Sequence, residues 1–190
     1  MGSTEFKEIE FKYDACKVTL REFQNTLNTM SPKGRKAVSS WDHYFSRGNN
    51  KDRFVRFRED KTSPELTTKV KMNKNNNAHR EEVNIHLTSG TTFQAVEKML
   101  EAIEYKLNFS IHKKCFIYFF DEVDVVFYTV TDVRGKVVGQ FIEIEFLESV
   151  RGKKVSYAMK RIREFESKLK GLGLMSSSRL SKSLWEMYRR

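Results

Sequence analysis

Long apolar runs, clustered cysteines and the familiar glycine-rich nucleotide-binding loops are all absent from this 190-residue sequence. No apolar run approaches the roughly 18–20 residues of a membrane-spanning helix, so no such helix is expected and no membrane partner. The first residues hold no apolar signal-peptide core. Cys16 and Cys115 lie far apart in no metal-ligand spacing, which speaks against a disulfide framework or a zinc site. These absences lead to the expectation of a reduced, cytoplasmic protein. Neither a Ser-His-Asp order nor a glycine-rich phosphate loop is found. His43, His79, His86 and His112 lack metal spacing and are expected on the surface or at the rim of a cavity. With no internal repeat and no low-complexity linker, residues 1–190 are expected to form one domain.

What is present supports a folded core. Hydrophobic residues make up 39% of the chain and aromatics 13%, while the 32% charged fraction is mixed in sign. The net charge of +10 is uneven: residues 151–190 hold 12 Lys or Arg against 3 Glu, and the preceding 150 hold 23 against 22. That basic C-terminal segment fits either a solvated helix face or nucleic-acid binding, and no aromatic-rich RNA motif accompanies it.

The periodicities predict strands at about 5–13, 37–46, 52–60, 65–73, 79–87, 108–120, 123–132 and 137–147. Helices are predicted over 15–30, capped by Asp14, and from Thr91 or Thr92, with Phe93, Val96, Met99, Leu100 and Ile103 at helical spacing. A third carries Val155, Met159, Ile162, Phe165, Leu169 and Leu172 toward the core and ends at Gly171 and Gly173; a short one covers about 179–189. Cys16 is expected to pack on the first helix, and Trp41 and Trp185 to anchor the core or a cavity mouth. The class is therefore α+β, mainly β: an eight-stranded antiparallel barrel decorated by helices.

Alternation within those strands carries the chemistry. Glu8, Glu10 and Lys12 share one face of the first strand, and Phe141, Glu143 and Glu145 one face of the last. If both faces line one cavity, their oxygens suit a hard divalent cation. Middle strands repeat cations instead: Arg56 with Arg58, Lys69 with Lys71, then Arg80 and Lys113. A wet sheet face would explain any single strand. As a set they suit a polyphosphate, since Arg offers bidentate donors and Lys a point charge.

In order, these residues resemble the CYTH family, the triphosphate tunnel metalloenzymes. The resemblance rests on Glu8-x-Glu10-x-Lys12, Asp42-His43-Tyr44-Phe45, Arg56-x-Arg58, Lys69-x-Lys71, Arg80-Glu81-Glu82, Asp132 and Gly139-Gln140-Phe141-Ile142-Glu143-Ile144-Glu145. It implies an eight-stranded tunnel holding a triphosphate and Mg²⁺ or Mn²⁺. Glu8, Glu10, Asp132, Glu143 and Glu145 would be the metal ligands, with Glu82 a further acidic group. Lys12, Arg56, Arg58, Lys69, Lys71, Arg80 and Lys113 would grip phosphate, and Glu8, Glu10, Lys12 and Arg58 would carry catalysis. The closest look is to class IV adenylyl cyclases, through residues 109–119, the closing Ser181-Lys182-Ser183-Leu184-Trp185-Glu186-Met187, and Asn84, where many triphosphatases carry Glu. Cys115 stands where relatives have Arg, and Leu184 where they have Tyr. The resemblance therefore implies ATP conversion to cyclic AMP and pyrophosphate. Hydrolysis of an inorganic, thiamine, nucleoside or RNA 5′-triphosphate, and a non-catalytic nucleotide or RNA binder, are the alternatives. It also makes a homodimer plausible.

Overall fold

The computed structural model describes residues 3–48, 53–60, 63–73, 76–146, 154–175 and 178–189; the side chains of 3–8, 69–73 and 76–81 are not among those described. Among the described residues, nine strands and four helices run in the order β1 (Ser3–Asp14), α1 (Leu20–Thr29), β2 (Gly34–Ser46), β3 (Val55–Glu59), β4 (Glu65–Asn73), β5 (Asn76–His86), α2 (Phe93–Ala102), β6 (Lys106–Phe119), β7 (Val123–Thr131), β8 (Val137–Phe146), α3 (Val155–Gly171), β9 (Arg179–Leu180) and α4 (Leu184–Tyr188). The expected mainly β, antiparallel class with attached helices is what is observed.

Strands pair in the order β5-β4-β3-β2-β6-β7-β8-β1-β9, with a further β5–β1 ladder. β1 is shared: Ser3–Ile9 face β5, while Glu10–Asp14 face β8. Each of these two ladders covers only part of β1, so its pairings are staggered along the strand. The two-residue β9 pairs with Lys12 and Tyr13 of β1. It was not expected, because the predicted helix over 179–189 divides into β9 and α4.

Alternation separates two interiors. One apolar cluster joins Ile9, Phe11, Tyr13, Val125, Phe127, Ile142 and Ile144 to Phe23 and Leu27 of α1 and to Ile162 and Leu169 of α3. A second, including Tyr44, Phe54, Val126, Tyr128, Phe141, Leu184 and Trp185, seats α4 against the opposite faces of the strands. Helices α1 and α3 cover the first cluster, while the opposite faces mix the second cluster with polar side chains.

Several local expectations are corrected. Helix α1 starts at Leu20 because Thr19 and Glu22 form a reciprocal capping box; Asp14 ends β1 and accepts from the Cys16 amide at 2.8 Å. Cys16 is exposed and does not pack on α1. Leu172 is the α3 C-cap and is 51% exposed, so it does not face the core. Met99 and Ile103 of the α2 pattern are likewise exposed, at 49% and 53%. His43 is buried, 4.2 Å from the Phe93 ring and 6.0 Å from that of Phe57, with Nδ1 2.8 Å from the Ser110 hydroxyl. Its odd position on β2 turns it outward beneath α2, and burial holds its pKa down despite Glu59. His79 lies outside the described side chains.

Candidate active site

Glu10 and Lys12 of β1 face the cavity, and in register Glu10 lies opposite Glu145 and Lys12 opposite Glu143. Glu10, Glu143 and Glu145 bring a carboxylate oxygen each within 4.8 Å of one another. The Lys12 ammonium lies 3.0 Å from Glu143 and 3.7 Å from Glu10. Three carboxylates this close together can offer their oxygens to a hard divalent cation. Burial alone would raise Glu143, but Lys12, Lys113 and the hydrogen bonds from Tyr128 and Lys12 hold it well below the usual carboxylate range. The donor set therefore fits a hard divalent cation.

Across the interior, Arg58 clasps the fully buried Asp42 with two bonds, at 2.8 and 3.0 Å. Desolvation would raise Asp42, yet Arg58, Arg56 and Lys113 hold its pKa far down. Arg56 is bonded to Thr67 at 2.8 Å and to Glu65 at 3.2 Å. These bonds aim both guanidinium groups before any ligand arrives.

Of these groups, Glu10, Lys12, Arg56, Arg58, Glu65, Lys113, Glu143 and Glu145 line one cavity of about 450 Å³, which also meets Ser40, Glu82, Asn84, Cys115 and Asp124. Tyr44, Phe54, Leu184 and Trp185 form its aromatic and apolar portion, with Phe54 and Trp185 stacked at 5.2 Å. Arg56 Nε and Asn84 Oδ1 are buried without a hydrogen-bond partner. Buried donors and acceptors are nearly always satisfied, so an orphaned pair on a cavity wall marks a place for a polar ligand.

No protein-family model matches the chain, and no curated protein does. Solved structures do. A conserved hypothetical protein of Pyrococcus furiosus superposes with a TM-score of 0.73 at 23% identity, covering 94% of this chain and 98% of that one. A candidate adenylate cyclase of Vibrio parahaemolyticus gives 0.68 at 17%, covering 95% and 96%. A chain of the Schizosaccharomyces pombe Mediator head module gives 0.59 at 15%, covering 92% and 98%. The chain shares its fold with these structures, and that fold is consistent with a triphosphate tunnel of the CYTH type.

Within this fold, Glu10, Lys12, Arg56, Arg58, Glu82, Lys113, Glu143 and Glu145 line one cavity. By backbone register Glu8 lies opposite Arg80, Lys71 opposite Arg80, and Lys69 opposite Glu82; the side chains of Glu8, Lys69, Lys71 and Arg80 are outside those described. Asp132 is placed elsewhere. It sits in the β7–β8 turn, where its Oδ1 accepts from the Arg134 and Lys136 amides at 2.9 Å each, beside Gly135 at φ +80°. The acidic residue of β7 that faces the cavity is Asp124, directly opposite Glu145 in register. Burial raises its carboxyl to about 6, and Oδ1 has no hydrogen-bond partner. Strand parity held the signal, since Asp124, Val126 and Tyr128 share a face. Cys115 and Leu184, the two departures from the CYTH pattern, both line the cavity.

Proposed function

We propose that this protein is a divalent-metal-dependent enzyme that binds a triphosphate in a closed eight-stranded tunnel, and that its reaction is adenylyl cyclisation. The carrying observation is one cavity with clustered carboxylates on one wall and pre-aimed cations on another. Glu10, Glu143 and Glu145, with Glu8 by its place on β1, would hold Mg²⁺ or Mn²⁺, which when bound neutralises phosphate charge and polarises the reacting phosphorus. Arg56, Arg58 and Lys113 bind and orient phosphate oxygens, joined by Lys69, Lys71 and Arg80 from their strand positions. The 3′-hydroxyl of ATP attacks the α-phosphorus, and the bond to the bridging oxygen breaks. Pyrophosphate leaves, its charge balanced by the basic wall. The hydroxyl proton passes to solvent, since no side chain is assigned as the base.

Two features favour a nucleotide over inorganic triphosphate. The Tyr44, Phe54 and Trp185 rings adjoin the charged part of the cavity and offer apolar surface to a nucleoside. Asn84 supplies a neutral amide, not a further carboxylate, at its position on β5. A non-catalytic role is a second reading, because the same fold occurs in a Mediator head-module chain.

Incubating the purified protein with Mg²⁺ or Mn²⁺ and ATP, inorganic triphosphate, thiamine triphosphate or 5′-triphosphorylated RNA separates these readings. Cyclic AMP with pyrophosphate is expected. Orthophosphate instead makes the protein a triphosphatase, and retained binding without any product makes it a binder.

A further inference from the structure

Two donors meet the same oxygen of Glu143. The Tyr128 hydroxyl donates to Oε1 at 2.7 Å, and the Lys12 ammonium lies 3.0 Å from that atom. Tyr128 is fully buried. Its ring packs 5.3 Å from that of Phe141, and Lys113 Nζ stands 4.1 Å over its face. A phenol gripped by an aromatic neighbour and a cation has no second rotamer to adopt. Its hydroxyl is therefore a fixed donor, and the carboxylate it meets is fixed with it. With Oε1 engaged twice, Oε2 is the oxygen that Glu143 can offer to a cation.

We propose that Tyr128 is a positioning residue of the cation site: its hydroxyl locks Glu143 in the ligating orientation, with Oε1 held by protein donors and Oε2 reserved for the metal. This inference rests on the cation site of the proposed function. A free carboxylate loses rotamer freedom when it ligates, and one already locked loses less, so the lock strengthens cation binding. Donors behind a ligand are worth about 10–100-fold in metal affinity. Tyr128 touches neither cation nor triphosphate and acts only through Glu143. The same ring also braces Lys113, so one side chain sets a group on each wall of the cavity.

The test is Mn²⁺ binding to the full-length chain, read by calorimetry and by loss of the free-ion electron paramagnetic resonance signal. Tyr128→Phe keeps the ring, its packing and the Lys113 contact, and removes only the hydroxyl. It is expected to bind Mn²⁺ at least about tenfold more weakly. Tyr118→Phe is the control: the Tyr118 hydroxyl bonds Asn28 at 3.2 Å on the α1 side, and its Mn²⁺ affinity should equal wild type. Near-ultraviolet circular dichroism of the metal-free proteins checks that each is folded, and a merely structural role would shift the thermal midpoint without the affinity. Equal Mn²⁺ affinity in folded wild type and Tyr128→Phe overturns the positioning role while leaving the cation site standing. A wild-type chain that takes up no Mn²⁺ overturns both.

Discussion

On the β1–β8–β7 wall of the cavity, Glu10, Glu143 and Glu145 cluster, with Lys12 beside Glu10 and Glu143. Asp124 lies opposite Glu145 in register, so carboxylate outnumbers cation among the described residues of that wall. On the β2–β3 wall, Arg58 rests bidentate on Asp42 and Arg56 on Glu65 and Thr67, so each cation comes with its own anionic partner. The difference separates two tasks. A wall with surplus negative charge asks for a metal ion. A wall of paired guanidinium groups is held in place by its own partners and, in the proposed function, would orient phosphate through its remaining N–H groups.

The largest expected effect tests the acidic wall. Glu10→Ala should abolish metal-dependent turnover, by about 10³-fold or more in kcat, with the fold intact by circular dichroism. Unchanged turnover would remove the metal assignment. Lys113→Met, on the basic side, should instead act mainly through KM for the triphosphate, by about tenfold. A loss confined to kcat would show that the two walls do not divide their tasks in this way.

Stability tests the pairing next. Asp42→Ala leaves the Arg58 guanidinium without its buried partner and should lower unfolding free energy by ~3 kcal/mol in denaturant titration. A loss below about 1 kcal/mol, the worth of an ordinary surface pair, would mean that solvent already screens Arg58.

The smallest effect concerns pH. The folded carboxyl of Asp124 titrates at about 6, above its ordinary value of 3.8. The folded state therefore binds more protons than the unfolded state between those values, and stability falls as pH rises through that window. Asp124→Asn should remove this component, about 1 kcal/mol after allowance for partial exposure. Denaturant midpoints at pH 4 and pH 7, taken in a metal chelator, provide the check. Parallel profiles for the two proteins would show that burial does not perturb the carboxyl.

Much of this was legible in the alternation of strands. Glu-x-Glu-x-Lys on β1, Arg-x-Arg on β3 and Glu-x-Glu on β8 each place like residues on one face, and the described members of all three line the cavity. Other assignments failed where a local bond decided the outcome. Asp14 lost the helix cap to the Thr19–Glu22 box, and Asp132 is held by the amides of its own turn. Asp124 and Tyr128 lay unnoticed in a strand that reads as apolar core.

By itself, the sequence determined which residues share a strand face, because a two-residue period needs no tertiary information. It also determined the charge of each face, and with it the ligand class to expect. Only the tertiary structure decided which faces meet. The split pairing of β1 with β5 and β8 brings Glu10 beside Glu143 and Glu145, and the β7–β8 register sets Asp124 opposite Glu145. Register is a property of pairs of strands, and a single strand carries no record of its partner.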